Sequence, residues 1–153
     1  MSYIDNNLLS EERIVFRTKK HLIIFFVPIL LTFAAILASF YMKDNYVLVK
    51  FIWAPWMIAL LFWSYSGVDY LFSEYAVTNK RVMMREGVFN RHANEMRLTA
   101  ISQVNVDQNI IGQMLNFGIV SINAFGAFDS YALIASPSAF QRAVNEQLDK
   151  ASK

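Results

Sequence analysis

Lys80, Arg81 and Arg85 are the residues whose type and spacing best fit a chemical role: three cations within six positions, set between apolar residues. Such a group contacts anionic lipid headgroups, each cation contributing up to about 1 kcal/mol near a charged surface. The alternative is a solvated turn on the basic flank of a membrane segment. Other chemistry is sparse. Cysteine is absent, which excludes disulfides, thiolate catalysis and Cys-ligated metals. His21 and His92 are the only histidines, and no spacing assembles them into a metal site; His21 reads as an interfacial residue. No GxSxG, HExxH or Walker A lysine occurs. No catalytic residue, metal or cofactor is therefore expected, and the chain does not read as an enzyme. Gly87, Gly112, Gly118 and Gly126 lack phosphate-loop spacing and read as turns and close packing.

The elements that position the three cations start with two uncharged apolar runs, Leu22 to Tyr41 and Phe51 to Val68. The first has about 20 residues, the length a helix needs to cross a bilayer. Met42 to Asn45 interrupt the apolar sequence with charge and a turn former, so the two helices form an antiparallel hairpin. Pro28 and Pro55 are expected to bend the helices. Ala34, Ala35, Ala38 and Ser39 offer small faces for packing. Tyr41, Tyr46, Trp63 and Tyr65 fit aromatic belts at the water boundaries. No Asp, Glu, Arg or His lies in mid-run, so the hairpin reads as an anchor and not an ion path.

Arg13, Arg17, Lys19 and Lys20 precede the first run and Lys80, Arg81 and Arg85 follow the second, while only Lys43 and Lys50 mark the turn. The positive-inside rule then puts both ends in the cytoplasm and the short turn outside, with Arg17, Lys19 and Lys20 as flanking anchors. The first run is too long for the apolar core of a signal peptide, and a cleaved leader is not expected. The chain of 153 residues is 56% hydrophobic with a net charge of +2, too small for a nucleic-acid partner. The expected segments are 1–20 (cytoplasmic), 21–68 (transmembrane hairpin) and 69–153 (a small cytoplasmic domain).

In that third segment the period switches to two. Glu74–Thr78 and Arg81–Arg85 read as strands joined by Asn79–Lys80, followed by strands over Asn94–Leu98 and Ser102–Gln108. A helical turn is expected at Ile110–Leu115, then strands from Gly118 and over Phe128–Ile134. Phe125 and Phe128 lie in a Gly-Ala context that reads equally as an exposed tip or as core. Ser136–Pro137 start a helix with Phe140, Ala143, Val144, Leu148 and Ala151 on one face. The fold class is membrane-anchored α+β, the domain an antiparallel barrel or sandwich capped by its C-terminal helix. Ile14–Val15–Phe16 is β-prone and reads as a short strand at the sheet edge or as the start of the anchor.

Tyr75-Ala-Val-Thr-Asn-Lys-Arg-Val82 with Arg85-x-Gly87, and Leu98-x-x-Ile101-x-x-Val104-x-Val106-x-Gln108-x-x-x-Gly112-x-x-Leu115-x-x-Gly118-x-Val120-x-Ile122, resemble the bacterial pleckstrin-homology membrane proteins of the YdbS-like type. Glu12-x-x-x-x-Arg17-Thr-x-x-His21 resembles the segment before their membrane hairpin. The resemblance implies a pleckstrin-homology domain working as an interaction or assembly module, with membrane lipids and a protein partner or a second copy as its contacts. Eukaryotic pleckstrin-homology domains bind headgroups through basic residues around the first strand pair. Here Asn79–Lys80 reads as too short a turn for that.

Overall fold

The computed structural model describes residues 3–87 and 92–151. It contains two compact units: Leu22–Leu71, and Met1–His21 together with Phe72–Lys153.

In the first unit, a 3-10 turn at Leu22–Phe25 leads into helix α2 (Phe26–Met42), and another at Leu48–Phe51 precedes helix α3 (Trp53–Phe72). Pro28 and Pro55 are each the third residue of their helix. In the first turn of an α-helix the N–H that proline lacks needs no i−4 partner, so each α-helix accommodates its proline just after the 3-10 turn. Helix α3 also runs past Val68, taking Asp69 and Tyr70 into its last turn.

The helices are joined by two similar rungs. Trp63 Nε1 donates to Thr32 Oγ1 at 3.0 Å and Trp56 Nε1 to Ser39 Oγ at 2.9 Å. Each hydroxyl donates in turn to the carbonyl four residues back, Pro28 or Ala35, at 2.8 Å. On both helices the rung residues are seven apart, two turns, which keeps them on one face. Ala35 and Ala59 are buried, so Ala35 and Ser39 form the packing face while Ala34 is exposed. Trp63 therefore serves as a mid-helix donor and not as the boundary aromatic expected of it.

The second unit begins with a helical turn, α1 (Tyr3–Asn6), and strand β1 (Ile14–Thr18). After the helical unit come β2 (Glu74–Thr78), β3 (Arg81–Glu86), β4 (His92–Arg97), β5 (Ile101–Asp107), α4 (Ile110–Leu115), β6 (Phe117–Ala124), β7 (Ala127–Ala135) and α5 (Pro137–Ala151). They form two antiparallel sheets, β1-β2-β3-β4 and β5-β6-β7. The sheets do not close into a barrel, so of the two forms expected, barrel or sandwich, the arrangement of two separate sheets is the one present. β4 and β5 lie in different sheets, and beyond the named strands the chain after β1 meets β7 through the Lys20–Ile134 bridge.

The core lies between the sheets. Tyr75, Val77, Val82 and Met84 from one face meet Val104, Val120, Ile122 and Ile134 from the other. Helix α5 closes this layer with Phe140, Ala143 and Val144, and the Phe140 ring meets Phe16 edge-on at 6.3 Å. Ile14–Phe16 is thus the edge strand anticipated as one reading. Consequently the first strand pair is β1–β2, connected by the entire helical unit, and Asn79–Lys80 is the second connection and not the first. Asn90, expected to be exposed, lies outside the described residues.

The rungs generate a prediction. In a double-mutant cycle of Trp63→Phe and Thr32→Val, unfolding should show a coupling of about 0.5–1.5 kcal/mol, the usual net contribution of a hydrogen bond. Strict additivity would mean that the Trp63–Thr32 bond contributes nothing.

Candidate functional site

The Thr78–Arg81 stretch holds down the N-terminal segment. Arg81 grips Glu12 with two parallel bonds, Nε to Oε1 and Nη2 to Oε2, both 3.0 Å, and Nη2 also donates to the Asn7 carbonyl at 2.6 Å. Its Nη1 pairs with Glu95 across the strand. Glu12 further accepts from the Leu9 amide at 2.8 Å and from Thr78 Oγ1 at 2.7 Å. Asn79 accepts the Arg13 amide at 2.9 Å, and Lys80 Nζ donates to the Ser10 carbonyl at 3.0 Å. Two-point Arg–carboxylate contacts of this kind are both strong and geometrically selective.

The Glu12 side chain is fully shielded and that of Arg81 only 14% exposed. Burial pushes the Glu12 carboxyl up, but hydrogen bonds from Arg81, Leu9 and Thr78 outweigh it and hold the group below its usual 4.5. Arg81 is raised, chiefly by its hydrogen bond to Glu12. Beneath the strap, Ile4 is buried against Ala76 and Met83 on the outer face of the sheet.

The cations singled out in the sequence therefore do not converge. Lys80 and Arg81 lie at the far end of the β2–β3 pair, four residues or about 13 Å along the strand from Glu74, where the chain has just left α3. Arg85 sits at the near end, in register with Glu74. Of the flanking cations, Arg17 pairs with Asp5 at 3.3 Å and Glu74 at 3.2 Å, and Lys20 with Glu86 at 3.5 Å. Lys19 is exposed. Glu86 also accepts from Tyr75, while Asn94 donates to the Tyr131 hydroxyl at 3.0 Å. Burial drives that phenol up to about 12, so it is neutral at physiological pH. Among the described residues no cluster of His, Asp and Glu could hold a metal ion.

The Gln108, Gly112 and Gly118 spacing has a steric explanation. Gln108 Nε2 donates to the carbonyls of Phe117 at 3.0 Å and Gly112 at 3.3 Å. A Cβ on Gly112 would lie 2.5 Å from the Phe117 carbonyl oxygen, and one on Gly118 would lie 2.8 Å from that of Asp107. The three residues pack α4 tightly onto the start of β6. Beside it lies a groove of about 470 Å³ lined by Asp107, Gln108, Asn109, Phe117, Ile119 and Leu133.

Among the described residues of this unit, two exposed apolar groups stand out. Ile110, Ile111, Met114 and Leu115 project from α4, and Phe125, 90% exposed, and Phe128 occupy the β6–β7 tip. The open choice between tip and core thus resolves to tip. Two sheets of four and three antiparallel strands, closed by a C-terminal helix, match the plan implied by the sequence motifs. The family model for the bacterial PH domain matches residues 20–151.

This chain belongs to the bacterial PH-domain family. No curated protein matches its sequence. Membership supports a lipid- or protein-interaction module, and in this bacterial PH domain two features, one buried and one exposed, were not anticipated from sequence. Glu12 was visible only as one member of a motif; its signal was an acid ahead of a strand in a segment otherwise rich in cations. The exposed α4 face was written as apolar residues at i, i+1 and i+4 between Asn109 and Asn116.

Arg81→Ala strands a buried carboxylate and should lower stability by about 3–5 kcal/mol in denaturant titration. Because Glu12 is depressed in the folded state, its contribution is complete above its unfolded value near 4.5 and disappears as pH falls through the lower folded value. Glu12→Gln should flatten that acid limb; an unchanged slope would refute the assignment. Gly112→Ala should lower the melting temperature, whereas Gly126→Ala, with open space around it but a φ of +83°, should act only through backbone strain.

Proposed function

We propose that this bacterial PH domain is a membrane-tethered interaction and assembly module without enzymatic activity, of the YdbS-like type. Helices α2 and α3 span the bacterial inner membrane as a hairpin, and the domain stands on the cytoplasmic side, where it binds a protein partner or a second copy. Tethering raises the effective concentration of a weakly binding surface against other membrane components.

The observation that carries this reading is the division of labour on the domain surface. Lys80 and Arg81 of the basic motif are engaged with the N-terminal segment, while large aromatic side chains stand exposed at the β6–β7 tip. Exposed aromatic groups of this kind favour protein contacts. The hairpin reading is supported by two helical segments of 21 and 25 residues whose apolar side chains lie largely outside any core, unlike the core helices of a soluble protein. Pairing of β1 with β2 supports the topology independently of charge. Strands on either side of the helical unit share one sheet, so the chain between them crosses the bilayer an even number of times. The positive-inside rule then selects the cytoplasm for both ends.

A lipid sensor acting through Lys80, Arg81 and Arg85 is the alternative from the binding class, and an accessory subunit docking through its hairpin is another. A photocrosslinking amino acid at Phe125 of the full-length protein in cells separates them. The module predicts protein adducts, to a second copy or to another chain, that persist when the hairpin is exchanged for an unrelated one. Loss of the adducts on exchange would favour the accessory subunit. A strictly monomeric protein with no adducts, and with vesicle affinity that falls on Lys80→Ala, would favour the sensor.

A further inference from the structure

Helix α4 is short, fixed at both ends and apolar on its outer side. Asn109 Oδ1 accepts the Gly112 amide at 2.7 Å, and Asn116, left-handed at φ 58°, ends the helix and donates to Ser136 Oγ at 2.9 Å. Together with Gln108 these contacts order a turn whose outward side chains are Ile110 and Met114, 79% and 81% exposed, with Ile111 and Leu115 beside them and the exposed Gln113 amide turned back to the Gln108 carbonyl at 3.4 Å. Four large apolar side chains held rigidly toward water carry a hydration cost that a covering surface would remove.

The course of the chain indicates what that surface is. Phe117, which follows Asn116 directly, stacks against His21 with ring centroids 5.2 Å apart. The His21 amide donates to the Leu133 carbonyl at 2.6 Å, fixing this residue on β7. Leu22, the next residue, begins the first apolar segment. Six helical residues extend about 9 Å, so α4 lies within about 15 Å of the point where the chain leaves the domain. Exposed Lys19, whose carbonyl accepts the Ala135 amide at 3.0 Å, lies on the same side. Between Asp107 and Gly118, Asp107 is the only charged residue, and it stands in β5 and not on the helix.

We infer that α4 is a second membrane contact, its Ile110, Ile111, Met114 and Leu115 face seated in the interfacial layer of the bilayer with Lys19 at phosphate level. This rests on the reading of α2 and α3 as spans. Two side contacts of this kind, one spanning and one interfacial, restrict the tilt of the domain and so present the β6–β7 tip in a defined direction. A partner protein or a second copy is the competing occupant; the closeness of His21 favours lipid.

The natural absence of cysteine allows single-site labelling of the full chain in vesicles of phosphatidylethanolamine and phosphatidylglycerol. An environment-sensitive fluorophore is placed at Leu37→Cys in the span, at Met114→Cys, and at Arg142→Cys on the exposed side of α5, and is challenged with spin-labelled lipid and with aqueous iodide. Quenching of Leu37 and Met114 by lipid, with a blue shift and loss of iodide access, and of Arg142 by iodide alone, is the expected result. Lipid quenching at Leu37 but iodide quenching at Met114 overturns the α4 contact and leaves the spans standing. Iodide quenching at Leu37 overturns the spanning reading and the α4 contact with it. A disulfide-linked dimer through Met114→Cys without lipid quenching assigns the face to a second copy and also overturns the inference.

Discussion

The buried Glu12–Arg81 pair is the contact on which the arrangement of the domain depends. An isolated carboxylate in that position would be strongly disfavoured, and the two-point guanidinium contact with the Leu9 amide and the Thr78 hydroxyl makes it tolerable. Such a pair adds less to stability than a well-packed apolar replacement would. Its effect is selective: the segment ahead of β1 can dock in one register only, because Asn79 and Lys80 must find the Arg13 amide and the Ser10 carbonyl at the same time. That register sets the path of β1, and β1 completes the edge of the first sheet.

From this follows a different view of the basic motif. Residues that alternate with apolar ones along β3 present cations on one face, which in a sequence resembles a headgroup site. Lys80 and Arg81 are engaged by residues of the same chain: Arg81 pairs with Glu12 and Glu95, and Lys80 Nζ donates to the Ser10 carbonyl. The exposed apolar side chains of α4 are held by polar scaffolding: Gln108, Asn109 and Asn116 bond to the backbone around α4 and leave its hydrocarbon outward.

Much of the fold was legible because it was written in period. The apolar runs, the alternation of Tyr75 with Val77 and of Val104 with Val106, and the helical spacing from Phe140 to Leu148 each specify local structure without reference to the rest of the chain. What escaped was non-local. That the strand at Ile14 takes β2 as its neighbour, that the two sheets stay separate and do not close into a barrel, and that Trp63 reaches Thr32 all depend on pairing between distant residues, for which single-sequence patterns carry no signal. The change from a 3-10 turn to an α-helix just ahead of Pro28 and Pro55 was likewise not written in the hydropathy of the runs. At the candidate surface, residue types gave the exposed aromatics as one of two options, and only burial could choose between them.

The placement of the helices inside the first strand pair has a bearing on how the molecule is made. Arg17 and its partner Glu74 are 57 positions apart, so the edge of the sheet must wait for a long stretch of synthesis before its neighbour exists. Closing a flexible loop of that length is entropically costly and slow. Were the intervening helices already paired as a hairpin, the two strand ends would emerge side by side, and the remaining search would be short. Assembly of the helices would then be the kinetic template for the sheet, and β1 would remain an unpaired, aggregation-prone segment until that template is in place.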